Sequence, residues 1–161
     1  TPDTTEFTND ANPVAGKIIP EFTTTDINGQ EITNEIFKDH KVTMVNVWGT
    51  FCSPCIKEMP DLQQLYTDFK GEDFNLIGIV GDVQTGQDPS SAISIVNQTN
   101  VQYPNLLLNE VLINEIVSNF DYVPFTIFVD SEGKILNEIV AGSRSHEEYT
   151  TIVSNILENI K

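Results

Sequence analysis

The sequence predicts an α/β domain: a mixed central sheet with helices on both faces, an extra N-terminal hairpin and a helical insertion near the middle. Three features carry that reading. Two short β-branched apolar runs, Val42–Trp48 and Phe74–Gly81, look like strands buried on both faces. Segments with apolar residues at helical spacing alternate with the strands, which implies parallel pairing in the middle. The chain then closes on two strands joined by a tight turn and a final amphipathic helix, which adds antiparallel strands at one side.

The elements follow in order. Thr1 to Gly16 is polar, rich in Thr, Asn, Asp and Pro, and reads as a flexible tether ahead of a domain spanning residues 17–161. In "EFTTTDINGQEIT", Asn28-Gly29 separates two strand-like pieces, a hairpin signal. "NEIF" reads as one helical turn. After the Val42–Trp48 strand, Met59, Leu62, Leu65, Tyr66 and Phe69 recur at helical spacing up to Gly71. Pro60 falls inside that helix and should remove one backbone hydrogen bond. A helix start follows the second strand at Asp88, with Pro89 in its first turn. "YPNLLLN" reads as a short strand, and Asn109 caps another short helix. "PFTIFVDSEGKILNEIVAG" is a hairpin turning at Ser-Glu-Gly-Lys. In the last helix Ser145 and Glu148 form a capping box, and Tyr149, Ile152, Val153, Ile156, Leu157 and Ile160 line one face.

Bulk properties narrow the function. The chain has 161 residues, 39% of them hydrophobic, which fits one domain with a sizeable core. No run approaches the length of a membrane span. The formal charge of −16 argues against nucleic acid and anionic membranes, whose phosphates it would repel. The acids are scattered, as on a solvated surface.

The two cysteines stand out. Cys52 and Cys55 lie in "VNVWGTFCSPCIKEMP", where a strand ends and a helix begins. Ser53 and Pro54 suit the first helical positions and place Cys52 at the helix N-terminus. Free amides and the positive end of the helix dipole favour an anion there. Cys-x-x-Cys thiols can fall to pKa values of roughly 3.5–7.5, and the thiolate is the attacking species in disulfide exchange. Cys55, nearly a turn on, can close a disulfide and resolve a mixed one. A purely structural bridge would close too small a loop to stabilise much. Zinc would need two more ligands, and His40 and His146 lack ligand spacing. Redox chemistry is the favoured reading.

With those residues, the chain resembles the TlpA/ResA-like branch of the thioredoxin fold, extracytoplasmic thiol–disulfide oxidoreductases of bacteria. "VNVWGTFCSPCIKEMP" is similar to the branch's strand, Cys-x-x-Cys and Pro-kinked helix, and "YVPFTIFVDSEGKIL" to its second signature. The resemblance covers roughly Ile19 to Ile160 and implies a thioredoxin-like fold. It implies Cys52 as nucleophile, Cys55 as resolving thiol, and Pro124 as a cis proline beside them. Val123 would offer its backbone to an extended client segment, and Trp48, Phe51 and Pro54 would border the site. Thioredoxins proper carry a buried Asp where this chain has Asn46. The branch often places an acid at the end of the next strand, which makes Asp82 a candidate proton carrier. Glu58 is expected to face solvent, and Lys57 likewise.

The branch further implies a reductant of protein disulfides that needs no cofactor, and no Gly-rich phosphate loop offers to hold a nicotinamide. Its clients would be disulfide-bearing proteins such as apocytochrome c or methionine sulfoxide reductase. Its electrons would come from a membrane thiol donor of the CcdA/DsbD type. It would work as a monomer at the cell surface or in the periplasm, anchored through a lipidated or removed N-terminus. Two other classes are open. A peroxiredoxin-like peroxidase needs a Thr three residues before its cysteine and a Pro before that, whereas Gly49 stands there. A Sco-like copper chaperone uses Cys-x-x-x-Cys and a distant His, one residue longer than the spacing here.

Overall fold

The structure, a computed structural model, describes residues 12–160. Among them, five strands form the central sheet in the order β5-β4-β3-β6-β7. They are β3 (Val42–Trp48), β4 (Phe74–Gln84), β5 (Asn105–Leu108), β6 (Phe125–Asp130) and β7 (Ile135–Ala141). β3, β4 and β5 run parallel; β6 is antiparallel to both β3 and β7. The predicted mixed sheet is therefore present, with β3 at its centre.

Strand periodicity sorts the core. Side chains alternate between faces, so Val42, Met44 and Trp48 of β3 join one cluster and Val45 and Val47 the other. The first cluster is covered by α1 (Ser53–Asp68), α2 (Ser90–Thr99) and α4 (His146–Asn159), and the second by α3 (Glu110–Glu115) with Phe22 and Phe37. Asn46 has the same parity as Met44 and Trp48, so its amide points under α1. That one residue of register decides the chemistry described below.

The hairpin is a separate two-stranded sheet, β1 (Thr23–Thr25) with β2 (Glu31–Thr33). Its turn is five residues long and is organised by Asp26, whose Oδ1 accepts from the Asn28 and Gln30 amides at 2.8 and 2.9 Å. The helical turn at "NEIF" is a 3-10 turn over Asn34–Phe37. The Asp88 start shifts by one residue: Pro89 holds the N-cap position of α2 without a side-chain cap bond, and Asp88 accepts from the Ser90 amide at 3.0 Å. Pro60 is accommodated within α1. The capping box of α4 forms as expected.

The tether expected over Thr1–Gly16 needs a correction at its end. Its first eleven residues lie outside the described ones, but Asn12–Gly16 belong with the domain. Val14 is fully buried, the Asn12 amide donates to the Leu136 carbonyl at 3.0 Å, and the Gly16 amide donates to Ile135 at 2.8 Å. The apolar Val14 and the open backbone groups of an edge strand draw this stretch onto β7. Among the described residues no helix is long and apolar enough to cross a membrane.

Candidate active site

β3 delivers the chain to a turn at Gly49–Phe51, and α1 begins at once. Cys52 is its N-cap residue, with Ser53 and Pro54 as the first two helical positions, as the sequence predicts. The backbone at Cys52 is extended, so its sulfur points back over the helix end and accepts from the Cys55 amide at 3.2 Å. That is the geometry in which a cap side chain satisfies an orphan donor. Cys52 and Cys55 are joined in a disulfide with Cα atoms 5.3 Å apart. Cys55 is wholly buried, whereas Cys52 keeps a sliver of exposure. Of the two residues, Cys52 at the helix terminus is the one that keeps any exposure.

The loop ahead of β6 forms the opposite wall. Val123-Pro124 is a cis peptide, and the Val123 carbonyl lies 3.8 Å from Cys52 Sγ. Pro124 is buried and Val123 half-buried. Phe51 and, beyond Val123, Tyr122 are both largely exposed, each at 76%. With Val117, Phe120 and Phe125 they line an apolar cleft of about 290 Å³. Pro54 is exposed and lines a different cleft, described below, that leads to Glu58.

Of two further expected residues, one stands elsewhere than foreseen and the other stands in its expected place with a structural partner. Trp48 does not border the opening: it is fully buried and its indole N–H donates to Asn105 Oδ1 at 2.8 Å. An indole at the end of a strand covered on both faces is more stable packed with its N–H satisfied than exposed. Asp82 stands near the end of β4, as expected, but its carboxylate accepts from Thr50, from the amide at 3.1 Å and the hydroxyl at 2.6 Å. It anchors the turn leading into Cys52 from an exposed position on β4.

The expectation for Glu58 is wrong. It does not face solvent: it is 4% exposed, one turn beyond Cys55 on the same face of α1. Its Oε1 accepts from the Tyr149 hydroxyl at 2.7 Å and the Arg144 amide at 3.2 Å, and its Oε2 from Asn46 Nδ2 at 3.3 Å. Burial pushes its carboxyl up to about 7 from an ordinary 4.5, against the pull of the hydrogen bonds from Tyr149, the Arg144 amide and Asn46. A cleft of about 440 Å³, lined by Ser53, Lys57, Glu58, Asp61, Ser143 and Arg144, leads to it from outside. The sequence carried a signal: Glu58 follows Cys55 by three and precedes Leu62 by four, within the apolar stripe. Charged residues are rarely buried, and that general rule hid it. Lys57 is exposed as expected.

A thiol pair at a helix terminus, with the Val123 carbonyl 3.8 Å from Cys52 and a buried carboxyl one turn along the helix, forms a site able to trade disulfides. The comparisons agree. The model of the AhpC/TSA family matches residues 15–144. The chain is 28% identical to the thiol-disulfide oxidoreductase ResA of Bacillus thuringiensis subsp. konkukian (strain 97-27), over 93% of this chain and 83% of that protein. Among solved structures, a thioredoxin-family thiol:disulfide interchange protein from Chlorobium tepidum TLS superposes with a TM-score of 0.72 at 23% identity, covering 88% of this chain and 97% of the other. A putative protein disulfide isomerase from Bacteroides thetaiotaomicron gives 0.71 at 26%, covering 91% and 89%. The thioredoxin-like fold expected from the motifs is thus the fold observed, and the activity it carries is thiol–disulfide exchange of the ResA type. The chain belongs to the AhpC/TSA family, in its TlpA/ResA-like branch.

Proposed function

We propose that this protein is an extracytoplasmic reductant of other proteins' disulfides, acting through Cys52 and Cys55. The observation that carries the reading is Cys52 at the N-cap of a 16-residue helix, its sulfur held by the Cys55 amide and bonded to a buried partner. In the reduced protein the same amide and the helix dipole stabilise a Cys52 thiolate.

The thiolate attacks one sulfur of a client disulfide. The client's bond breaks, its other sulfur leaves as a thiolate and takes a proton, and a Cys52–client mixed disulfide forms. Cys55 then gives up its proton, for which Glu58 is the nearby buried acceptor, and attacks Cys52 Sγ. The second client thiolate departs. The second client thiolate takes the proton that Cys55 gave up, the first having drawn its own from water, so two electrons have passed to the client and the enzyme is left as the disulfide seen here. An extended client segment would pair with the backbone at Val123, beside Pro124, Phe51 and Pro54. Asp82 would act by holding the Thr50 turn rather than by carrying the proton, and Trp48 by supporting the site from beneath.

The resemblance of the two motifs to the TlpA/ResA-like branch implies a reducing direction, with a membrane thiol donor of the CcdA/DsbD type upstream and apocytochrome c or methionine sulfoxide reductase as clients. In an insulin-reduction assay Cys52→Ser abolishes activity, whereas Cys55→Ser accumulates mixed disulfides. Full activity in both variants would end the assignment. A reduction potential well below about −200 mV marks a reductant, and a value near that of strong oxidants reverses the direction. The peroxidase reading has Gly49 against it, and rapid stoichiometric consumption of hydrogen peroxide would restore it.

A further inference from the structure

The carboxyl of Glu58 is held unevenly. A carboxylate oxygen offers two lone pairs. On Oε1 both are taken, by the Tyr149 hydroxyl at 2.7 Å and the Arg144 amide at 3.2 Å. On Oε2 one long bond from Asn46 Nδ2, at 3.3 Å, is the contact present. Tyr149 is completely buried, and burial, followed by the Glu58 charge, holds its own hydroxyl far above the ordinary tyrosine range, so at any working pH it donates. The Arg144 amide is a donor without choice. Neither can receive a proton from Glu58.

We propose that Tyr149, reaching across from the last helix, is a positioning residue for the thiol chemistry: with the Arg144 amide it occupies Oε1 of Glu58 and leaves Oε2, on the Asn46 side, as the oxygen that takes up and returns the proton. The strand beneath is built to accept both forms. Asn46 donates through Nδ2 to Glu58 Oε2 and to Thr126 Oγ1 at 3.1 Å, while its Oδ1 has no partner among the described residues. When Oε2 carries a proton, a half-turn of the Asn46 amide presents Oδ1 to it and to the Thr126 hydroxyl. Each protonation state then has a matching amide orientation, and neither leaves the carboxyl unpartnered. The groups facing Glu58 are Asn46 on β3, Arg144 and Tyr149 around the start of α4, and Tyr103 ahead of β5, whose hydroxyl is raised by burial and by the Glu58 charge; Cys55 lies one turn back on α1. Lys57 and Asp61 stand at the rim of the cleft.

The inference depends on the dithiol reading only for the step it serves; the titration can be read without any client. Carbon-13 NMR of glutamate-labelled oxidised protein should show one carboxyl with a midpoint near neutrality, and Glu58→Gln should remove it. Tyr149→Phe removes one donor to the charged form and should move that midpoint up by about one pH unit or more. A midpoint within a few tenths of the wild-type value would show that Tyr149 only fills space. If Tyr149→Phe does not fold, the wild-type protein labelled at tyrosine Cζ decides: the Tyr149 signal should shift with the midpoint of Glu58, and a flat signal overturns the proposal. In the reduced enzyme, the pH profile of kcat/KM for insulin should move with the same midpoint in Tyr149→Phe. Loss of exchange by the wild-type chain would sink the dithiol reading and leave the titration result standing.

Discussion

Glu58 is a single carboxyl whose placement makes the protein's stability depend on pH in an unusual direction. Its folded value, about 7, lies above the ordinary 4.5, so the folded state binds the proton more tightly than the unfolded chain. Stability from this group is fully present below about 4.5 and is lost as pH rises through about 7, a change on the order of 3 kcal/mol. Asp68 and Glu148 run the other way, lowered by hydrogen bonds from Gln64 and from the Ser145 amide respectively, but both are exposed and weigh little. Urea unfolding of the oxidised protein at pH 5 and pH 8 should therefore show a fall that Glu58→Gln abolishes. A wild-type difference equal to the variant's would contradict the burial argument. Asp82 makes a different prediction. Asp82→Ala removes the acceptor of the Thr50 amide and hydroxyl, which should cost about 1 kcal/mol. Taking away a neighbouring negative charge should also lower the pH at which Cys52 becomes alkylated. An unchanged alkylation midpoint would confine Asp82 to holding the turn.

At the scale of elements, the site depends on strands in register and on helices that start at fixed residues. Thr126, Asn46, Gly78 and Asn105 stand opposite one another across β6, β3, β4 and β5, a polar row on the face that α1 covers. Gly78 is part of that row because a side chain would not fit: an added Cβ would run into the Asn105 amide that receives the Trp48 N–H. Gly78→Ala should destabilise by about 1–3 kcal/mol or more, with a loss of the tryptophan's native fluorescence environment. A neutral result would mean that Asn105 can move aside freely. The start of α4 is set by Ser145, which accepts from the Glu148 amide at 3.1 Å while Glu148 reaches back to the Ser145 amide at 3.0 Å. Ser145→Ala should cost about 1 kcal/mol. Because the Arg144 amide just before this cap holds Glu58, the same substitution should blur the Glu58 titration, an effect on the site from a residue at its periphery.

The whole molecule carries a net charge of −16, and its acids repel one another in the folded state. Raising sodium chloride from about 10 mM to 1 M shortens the screening length from about 30 to 3 Å. The melting temperature should rise, by about 2–4 °C for each kcal/mol of repulsion relieved; a fall would place the acids in favourable pairings. The chain also covers both edges of its own sheet. Residues 16–19 bond along the start of β7, and the hairpin meets β5 through Ile27 and Thr24. Much of this was legible beforehand. Apolar runs, helical spacing and cap residues are local properties of the chain, so the alternation of strands and helices, the place of Cys52 at a helix start and the capping of α4 could be read directly. What lay beyond reading were meetings between residues far apart. Val14 joining the core, Trp48 turning inward to Asn105, Asp82 closing on Thr50, and Glu58 buried against Asn46, Arg144 and Tyr149 all depend on which strand lies beside which. By itself the sequence determined a sheet-and-helix domain with a thiol pair at a helix terminus, because spacing and capping act within a few residues. Tertiary structure alone decided that a carboxyl one turn along that helix would be buried and hold its proton toward neutrality, because desolvation and hydrogen bonding are properties of the assembled surroundings.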